Sequence, residues 1–152
     1  MSKFKWFFGM ILPLFVLGCM SASVTPTSEP TPLSVKDGWT IKMTQSGGIM
    51  GLMRSIEVNS DGSYTVNDER TSQHVSGTLT KSQLDGLNKV LTVMQFTPSR
   101  PAGVCADCFI YEIDIQANGN QTLIQVDDLS LPDSGMESLI TELRGLMEAA
   151  LK

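Results

Sequence analysis

Cysteines are the most reactive side chains in this chain, and their spacing limits the chemistry they can do. Cys105-Ala106-Asp107-Cys108 is a Cys-x-x-Cys motif, which in a reducing compartment can be redox-active or can bind a metal. In an exported protein the same pair is expected to form a disulfide. Thioredoxin-like exchange needs the motif at a helix N-terminus, whereas here it precedes a strand-like segment that begins at Phe109. We therefore expect a disulfide that stiffens the preceding loop and contributes about 2 kcal/mol at most, because the ring it closes is so short.

Few other side chains could support catalysis or metal binding. The chain has one histidine, His74, in a polar run that favours a surface position. A zinc site needs three or four ligands, and the cysteine pair supplies two at most. Neither a Gly-x-Ser-x-Gly elbow nor a phosphate-binding P-loop occurs in the sequence. We therefore expect no enzyme activity, no metal site and no cofactor. The scattered carboxylates leave a hydrolase open as an alternative: Asp107, Glu112, Asp127 and Asp128.

The third cysteine, Cys19, follows a segment with the features of an export signal. Lys3 and Lys5 precede the apolar residues 6–17, which as a helix at about 1.5 Å per residue would span roughly 18 Å, short of a ~30 Å bilayer core. The end of this segment, Leu17-Gly18-Cys19, resembles the lipobox of bacterial lipoproteins, in which a signal peptidase cuts before a lipid-modified cysteine. The resemblance implies a signal peptide at 1–18 and lipidation of Cys19. Ordinary secretion with an unmodified Cys19 is the alternative.

Residues 19–37 are expected to form a tether. Ser, Thr and Pro make up ten of the 18 residues from 20 to 37, a composition that cannot bury a core. The folded domain is therefore predicted at 38–152. Acyl chains on Cys19 would hold this domain on the extracytoplasmic side of a bacterial membrane, in the cell envelope.

The charge of the chain argues against nucleic acid as a partner. Eleven basic and 16 acidic residues give a net charge of −5. Removing residues 1–18 takes away two lysines and no acidic residue, so the mature chain carries 9 − 16 = −7. An acidic protein does not attract phosphate backbones or anionic headgroups, so we expect the membrane to be reached through the lipid alone.

Alternation of apolar and polar residues predicts strands on both sides of two turns. Trp39, Ile41 and Met43 alternate with polar residues in the first strand. A three-residue turn ending at Gly62 and a two-residue turn at Asn118-Gly119 then place apolar residues opposite one another. The pairs expected from these turns are Val58 with Tyr64, Ile56 with Val66, Ile115 with Thr122, Ile113 with Ile124 and Tyr111 with Val126.

Each hairpin leads to a predicted helix. Thr80 and Gln83 have the spacing of a capping box before an apolar stripe at helical periodicity, and Ser134 with Glu137 suggests a second capping box. The element order is strand-loop-strand-strand-helix-strand-strand-helix. We therefore predict an α+β fold in which an antiparallel sheet of hairpins carries two helices on one face.

One glycine-rich stretch interrupts the strand pattern. In Ser46-Gly47-Gly48-Ile49-Met50-Gly51, the glycines permit positive φ and close backbone approach, while Ile49 and Met50 lie between them. An apolar tip is costly to expose unless it docks on a partner. The stretch is either a plain connection between strands 39–46 and 52–59 or a shaped loop that contacts a partner.

Several short motifs resemble the emfourin family in their order along the chain. They are Ser46-Gly47-Gly48 followed by Gly51, Leu52 and Arg54; Asp107-Cys108-Phe109-Ile110-Tyr111-Glu112-Ile113; and Val126-Asp127-Asp128 with Leu131-Pro132 before a final helix. The similarity covers roughly residues 39–147. Founding members of the family inhibit protealysin and related thermolysin-like zinc metallopeptidases. The resemblance implies that residues 46–51 bind a secreted metallopeptidase, with Ile49 or Met50 entering an apolar pocket of its cleft.

The sequence thus predicts a membrane-anchored lipoprotein whose emfourin-like domain binds, and by resemblance inhibits, a secreted metallopeptidase. An inhibitor needs no catalytic residues of its own, which agrees with the lack of catalytic motifs. The alternative is an envelope lipoprotein that inhibits nothing and binds another protein or a small ligand.

Overall fold

The computed structural model describes residues 31–32, 38–96 and 105–152. The predicted signal peptide, Cys19 and most of the predicted tether lie outside these residues. The strands are β1 (Thr31–Pro32), β2 (Trp39–Gly47), β3 (Leu52–Asn59), β4 (Ser63–Asp68), β5 (Gln73–Thr78), β6 (Gln95–Phe96), β7 (Phe109–Ala117) and β8 (Asn120–Asp127). The helices are α1 (Lys81–Val93), α2 (Leu131–Ser134) and α3 (Glu137–Ala150).

Six strands form one antiparallel sheet in the order β5-β4-β3-β2-β7-β8. The first strand of the domain, β2, lies at the centre, between β3 and β7. The hairpin β7–β8 therefore adds to the free side of β2, and the hairpin β3–β4 to its other side. This arrangement confirms the predicted α+β class with an antiparallel sheet.

The predicted hairpin registers are confirmed residue by residue. Val58 pairs with Tyr64 and Ile56 with Val66, and Gly62 has φ +86°. In the second hairpin the turn residues Asn118 and Gly119 both have positive φ, as a two-residue type I′ turn requires. The pairs across it are Ile115 with Thr122, Ile113 with Ile124 and Tyr111 with Val126.

The core lies between one face of this sheet and the helices α1 and α3. Alternate residues of every central strand point to that face, which we call the core face. They meet the apolar stripes of the two helices, so that the following side chains are at most 1% exposed: Ile41, Met43, Ile56, Val58, Val66, Leu87, Leu91, Ile113, Ile115, Leu139, Ile140, Leu143 and Met147. The opposite face, the open face, carries exposed side chains such as Lys42, Glu57 and Leu123.

The predicted cap of α1 is confirmed and that of α3 is wrong. Gln83 N–H donates to Thr80 Oγ1 (3.4 Å) and Thr80 N–H donates to Gln83 Oε1 (2.8 Å), a complete capping box. Ser134 instead ends the short helix α2, is fully buried, and accepts a hydrogen bond from Met136 N–H at 3.0 Å. Helix α3 begins at Glu137 without a side-chain cap. The physical reason is that Leu131–Ser134 form a separate helical turn, with Pro132 in its first turn, and that Gly135 ends this turn at φ +75°.

Strand β5 was not predicted. Its sequence, Gln-His-Val-Ser-Gly-Thr, has one large apolar residue and an interior glycine, both poor strand signals. The glycine is explained by packing, since a Cβ at Gly77 would lie 2.6 Å from the Tyr64 hydroxyl on the neighbouring strand. Within the predicted tether, Thr31–Pro32 pair with Gln95–Phe96 as a second, two-stranded sheet.

Candidate protein-binding surface

The predicted loop 46–51 forms the turn between β2 and β3. Ser46 and Gly47 are the last residues of β2, and the turn proper is Gly48–Gly51, closed by a hydrogen bond from Gly51 N–H to the Gly48 carbonyl (3.0 Å). We call Gly48–Gly51 the tip. Its apolar side chains point to solvent: Ile49 is 85% exposed and Met50 65%.

Two glycines bring the tip into backbone contact with the neighbouring cysteine segment. Gly47 (φ +98°) leaves room for the Cys108 carbonyl oxygen, which a Cβ would approach to 2.5 Å. Gly48 (φ +69°) donates its N–H to the same carbonyl at 3.1 Å, and a Cβ there would lie 2.7 Å from the ring of Phe109. Any larger residue at either position would push the tip away from its support.

The cysteine pair lies directly under the tip. Cys105 and Cys108 are joined as a disulfide with their Cα atoms 5.4 Å apart, just before β7. This agrees with the expected pairing and with the expected position before a strand. Because the Cys108 carbonyl accepts the Gly48 N–H, one hydrogen bond joins the disulfide-bonded segment to the tip.

Exposed apolar side chains concentrate at this end of the sheet. The described residues contain six large hydrophobic side chains that are exposed, and four of them lie here: Ile49, Met50, Met53 and Leu129. Leu129 follows β8 in a turn that Asp128 N–H attaches to the Phe109 carbonyl at 3.2 Å. We call this set the apolar end. Exposed apolar side chains grouped at one end of a sheet indicate a candidate protein-binding surface.

A row of polar residues lies on the core face just behind the apolar end. Arg54 Nε donates to Asp68 Oδ2 at 2.7 Å, and the Asp68 side chain is fully buried. Desolvation opposes the ionisation of Asp68, but hydrogen bonds from Arg54, Thr71 N–H and Arg70 N–H outweigh it, so the pKa of Asp68 lies below its usual 3.8. The pair therefore joins β4 to β3, with the Asp68 carboxylate buried and the Arg54 side chain 29% exposed.

Tyr111 continues this row on β7. Its hydroxyl donates to Asp128 Oδ1 at 3.2 Å, while Phe109 N–H donates to Asp128 Oδ2 at 2.8 Å. Arg144 of α3 lies 6.0 Å from the centre of the Tyr111 ring. Burial raises the pKa of Tyr111, the Arg144 charge opposes this effect, and Asp128 adds to it. The phenol therefore stays neutral and holds the turn of Leu129 in place.

These contacts join strands and turns of the domain to one another. His74 is exposed on the open face and hydrogen-bonds to Asn67, as a surface histidine does. Among residues 38–96 and 105–152, no group of three His, Cys, Asp or Glu side chains is placed to hold a metal ion. No helix within the same residues is long and apolar enough to cross a membrane.

Sequence reasoning located the tip and the cysteine pair but missed the polar row. The Arg54–Asp68 pair could have been found by extending the predicted hairpin register, since Ile56 with Val66 implies Arg54 opposite Asp68. The Tyr111–Asp128 contact had no such signal, because it depends on the turn after β8. No protein-family model matches the chain, and no curated protein matches it significantly.

Proposed function

We propose that this chain is a membrane-anchored lipoprotein whose domain binds and inhibits a secreted thermolysin-like zinc metallopeptidase through the tip. The observation that carries the proposal is the exposure of Ile49 and Met50 on a turn that its glycines shape and that a hydrogen bond attaches to the Cys108 carbonyl. The emfourin resemblance supplies the class of peptidase. The short motifs of that resemblance fall in the tip, in β7 and in the turn after β8, which are neighbours in the fold.

The geometry of the tip suits the role of an inhibitor. An apolar side chain on a rigid turn can fill a hydrophobic pocket with little loss of conformational entropy, because the turn is already ordered before binding. The turn also joins two strands that are paired along eight residue positions, Gly47 with Leu52 through Thr40 with Asn59. If the peptidase cut the tip, both ends would remain in place, and the products would separate slowly.

The test is a paired measurement of inhibition and stability on the full chain. Removing the anchor side chains with Ile49→Ala/Met50→Ala should weaken inhibition of a thermolysin-like peptidase by about thirtyfold or more, since a hot-spot side chain contributes about 2 kcal/mol. Thermal unfolding should be unchanged, because truncating exposed side chains alters stability by under about 0.5 kcal/mol.

Val93→Ala is the matched control, because Val93 is 69% exposed on α1 and is not part of the tip. It should change neither inhibition nor unfolding. If the parent chain does not inhibit such a peptidase at micromolar concentration, the inhibitor proposal is wrong. The alternative, a lipoprotein that binds another protein or a small ligand, then takes its place.

A further inference from the structure

The outer edge of β8 is unpaired among the described strands. Strand β8 pairs only with β7 among the described strands, and its register runs without a bulge from Asn120 opposite Ala117 to Asp127 opposite Ile110. Sheet edges are normally protected by lysine, proline, a bulge or a covering segment. Between Asn120 and Val126 this strand carries no charged residue and no proline.

The turn that precedes β8 determines which backbone groups face outward. In a hairpin with a two-residue turn, the flanking residues Ala117 and Asn120 exchange both hydrogen bonds, and the pairs then alternate. The backbone N–H and carbonyl groups of Gln121, Leu123 and Gln125 consequently point away from β7. All three residues are exposed, and Leu123 is 73% exposed.

The series of outward-facing backbone groups on β8 ends at Asp127. Its backbone N–H, which is next in the outward series, donates to Ser130 Oγ at 3.0 Å, and the residue is buried. The turn after β8 therefore closes the edge at one end, and the hairpin turn closes it at the other. Six outward backbone groups, three donors and three acceptors, lie between these limits.

We propose that β8 pairs antiparallel with β8 of a second copy of this chain, with Leu123 opposite Leu123 about a twofold axis. In this register Gln121 faces Gln125 of the second copy, so that every outward donor meets an outward acceptor. The side chains on the open face read Gln-Leu-Gln in both directions. The strand is thus complementary to itself, as a twofold interface requires.

Other registers satisfy the edge less well. A shift that places Leu123 opposite Gln125 brings Asp127, whose N–H Ser130 already occupies, into the pairing. The Leu123 register leaves Asp127 outside and places the two exposed leucines in contact. The Gln121 and Gln125 side chains are held by Asp114 (2.8 Å) and Glu112 (3.1 Å) on β7, so they do not obstruct the edge.

The β8 strand itself adds no charge repulsion between two copies of the chain. The chain is acidic, with a net charge of −5, so two copies repel each other through most of their surfaces. The segment from Asn120 to Val126 is neutral and avoids this repulsion. The interface is small, so the dimer is weak and forms where the local concentration of the chain is high.

The pairing leaves the apolar end accessible. The twofold axis reverses the strand direction, so the tips of the two copies lie at opposite ends of a twelve-stranded sheet. The dimer would therefore be divalent, and its formation is independent of what the tip binds. Loss of dimer formation and loss of inhibition can be measured separately.

Cysteine cross-linking on the full chain, in the cells that produce it, tests both the dimer and its register. Leu123→Cys should give a cross-linked dimer with a short bis-maleimide, because opposed residues lie about 5.5 Å apart. Gln121→Cys alone should give none, since its two copies would be displaced by four residues, roughly 13 Å. Coexpressed Gln121→Cys and Gln125→Cys should cross-link to each other.

His74→Cys, on the opposite edge strand β5, is the control and should remain monomeric under the same conditions. Leu123→Lys should abolish the cross-link that a Gln121→Cys and Gln125→Cys pair gives, because two lysines would then face each other. Equal cross-linking at His74 and Leu123, or a Gln121→Cys product as strong as that of Leu123→Cys, would overturn the proposal. So would an absence of any Leu123→Cys dimer.

Discussion

Three glycines shape the tip, and they do so for different reasons. Gly47, Gly48 and Gly51 all have positive φ, which any side chain adopts at a cost. A Cβ at Gly47 or Gly48 would also collide with the segment below, whereas a Cβ at Gly51 would meet nothing within 4 Å. The shape of the turn and its attachment to Cys108 are therefore separable by mutation.

Comparing Gly47→Ala with Gly51→Ala measures that attachment. Both substitutions place alanine at positive φ, which costs about 1–2 kcal/mol. Gly47→Ala must also displace the backbone carbonyl of Cys108, so its loss of unfolding free energy should be larger by about 1 kcal/mol or more. Urea unfolding of the two variants gives the comparison. Equal losses would mean that the contact with Cys108 adds nothing to the strain of the turn.

The ion pair between Arg54 and Asp68 predicts how stability depends on pH. Hydrogen bonds from Arg54 and two backbone N–H groups outweigh desolvation and lower the pKa of Asp68 below 3.8. Ionised Asp68 therefore stabilises the fold above pH 3.8, and this contribution disappears as the pH falls through the lower folded pKa. Asp68→Asn should reduce the urea midpoint at pH 7 and flatten its dependence on pH below 3.8.

Asp85→Asn provides the control for that measurement. Asp85 pairs with Lys81 at 2.7 Å on the exposed surface of α1, where such a pair contributes under about 1 kcal/mol. Its urea midpoint should stay close to that of the parent at pH 7. An acid dependence of Asp68→Asn as steep as that of the parent would show that other carboxylates govern acid unfolding.

At the scale of elements, the segment 105–108 directly precedes β7 and also contacts the turn between β2 and β3. The Cys108 carbonyl accepts the Gly48 N–H, and the Gly47–Phe109 pair is the last of the β2–β7 ladder. Holding Cys108 in place therefore holds both the cysteine segment and the tip. The disulfide therefore lies beside the tip rather than in the core.

Removing the disulfide should loosen the tip more than it destabilises the domain. Cys105→Ser/Cys108→Ser should lower the free energy of unfolding by about 2 kcal/mol at most, because the closed ring is small. Hydrogen exchange at the Gly48 amide should accelerate, since its acceptor is no longer held, while exchange in the centre of β2 follows the global stability alone. An unchanged rate at Gly48, after correction for global stability, would contradict the proposed support.

The elements that could be predicted from the sequence are those with a local, repeated pattern of residues. Period-two alternation and the Asn118-Gly119 turn determined the hairpin registers, because a one-residue slip would turn every apolar residue of a strand to solvent. Strand β5 lacks such alternation and forms because β4 offers it an edge and Tyr64 fills the space above Gly77. The short helix α2 depends on the buried Ser134, whose hydroxyl donates to the Leu131 carbonyl at 2.7 Å. Strand β5 and helix α2 therefore depend on tertiary contacts, which no local sequence pattern indicates.

At the scale of the whole molecule, the entry to β2 and the tip lie at opposite ends of the sheet. The chain enters β2 beside Gly38, and the tip lies at the other end of the same strand, nine residues and roughly 30 Å away. The domain is thus built so that its entry and its apolar end are as far apart as β2 allows. Before Gly38, the described residues Thr31–Pro32 pair with Gln95–Phe96 and not with the tip.

This separation predicts that anchoring and inhibition are independent. Cys19→Ser in the full chain should move the protein from the membrane fraction to the soluble fraction, because a lipid on Cys19 is its proposed attachment. The inhibition constant for a thermolysin-like peptidase should change by less than about threefold, below 1 kcal/mol, since no contact of the tip depends on the entry end. Ser21→Ala, two residues further along, is the control and should stay in the membrane fraction. Membrane retention of Cys19→Ser would refute the lipid anchor and leave the binding surface untouched. A released protein that no longer inhibits, yet unfolds at the same temperature as the parent, would show that the segment before Gly38 takes part in binding.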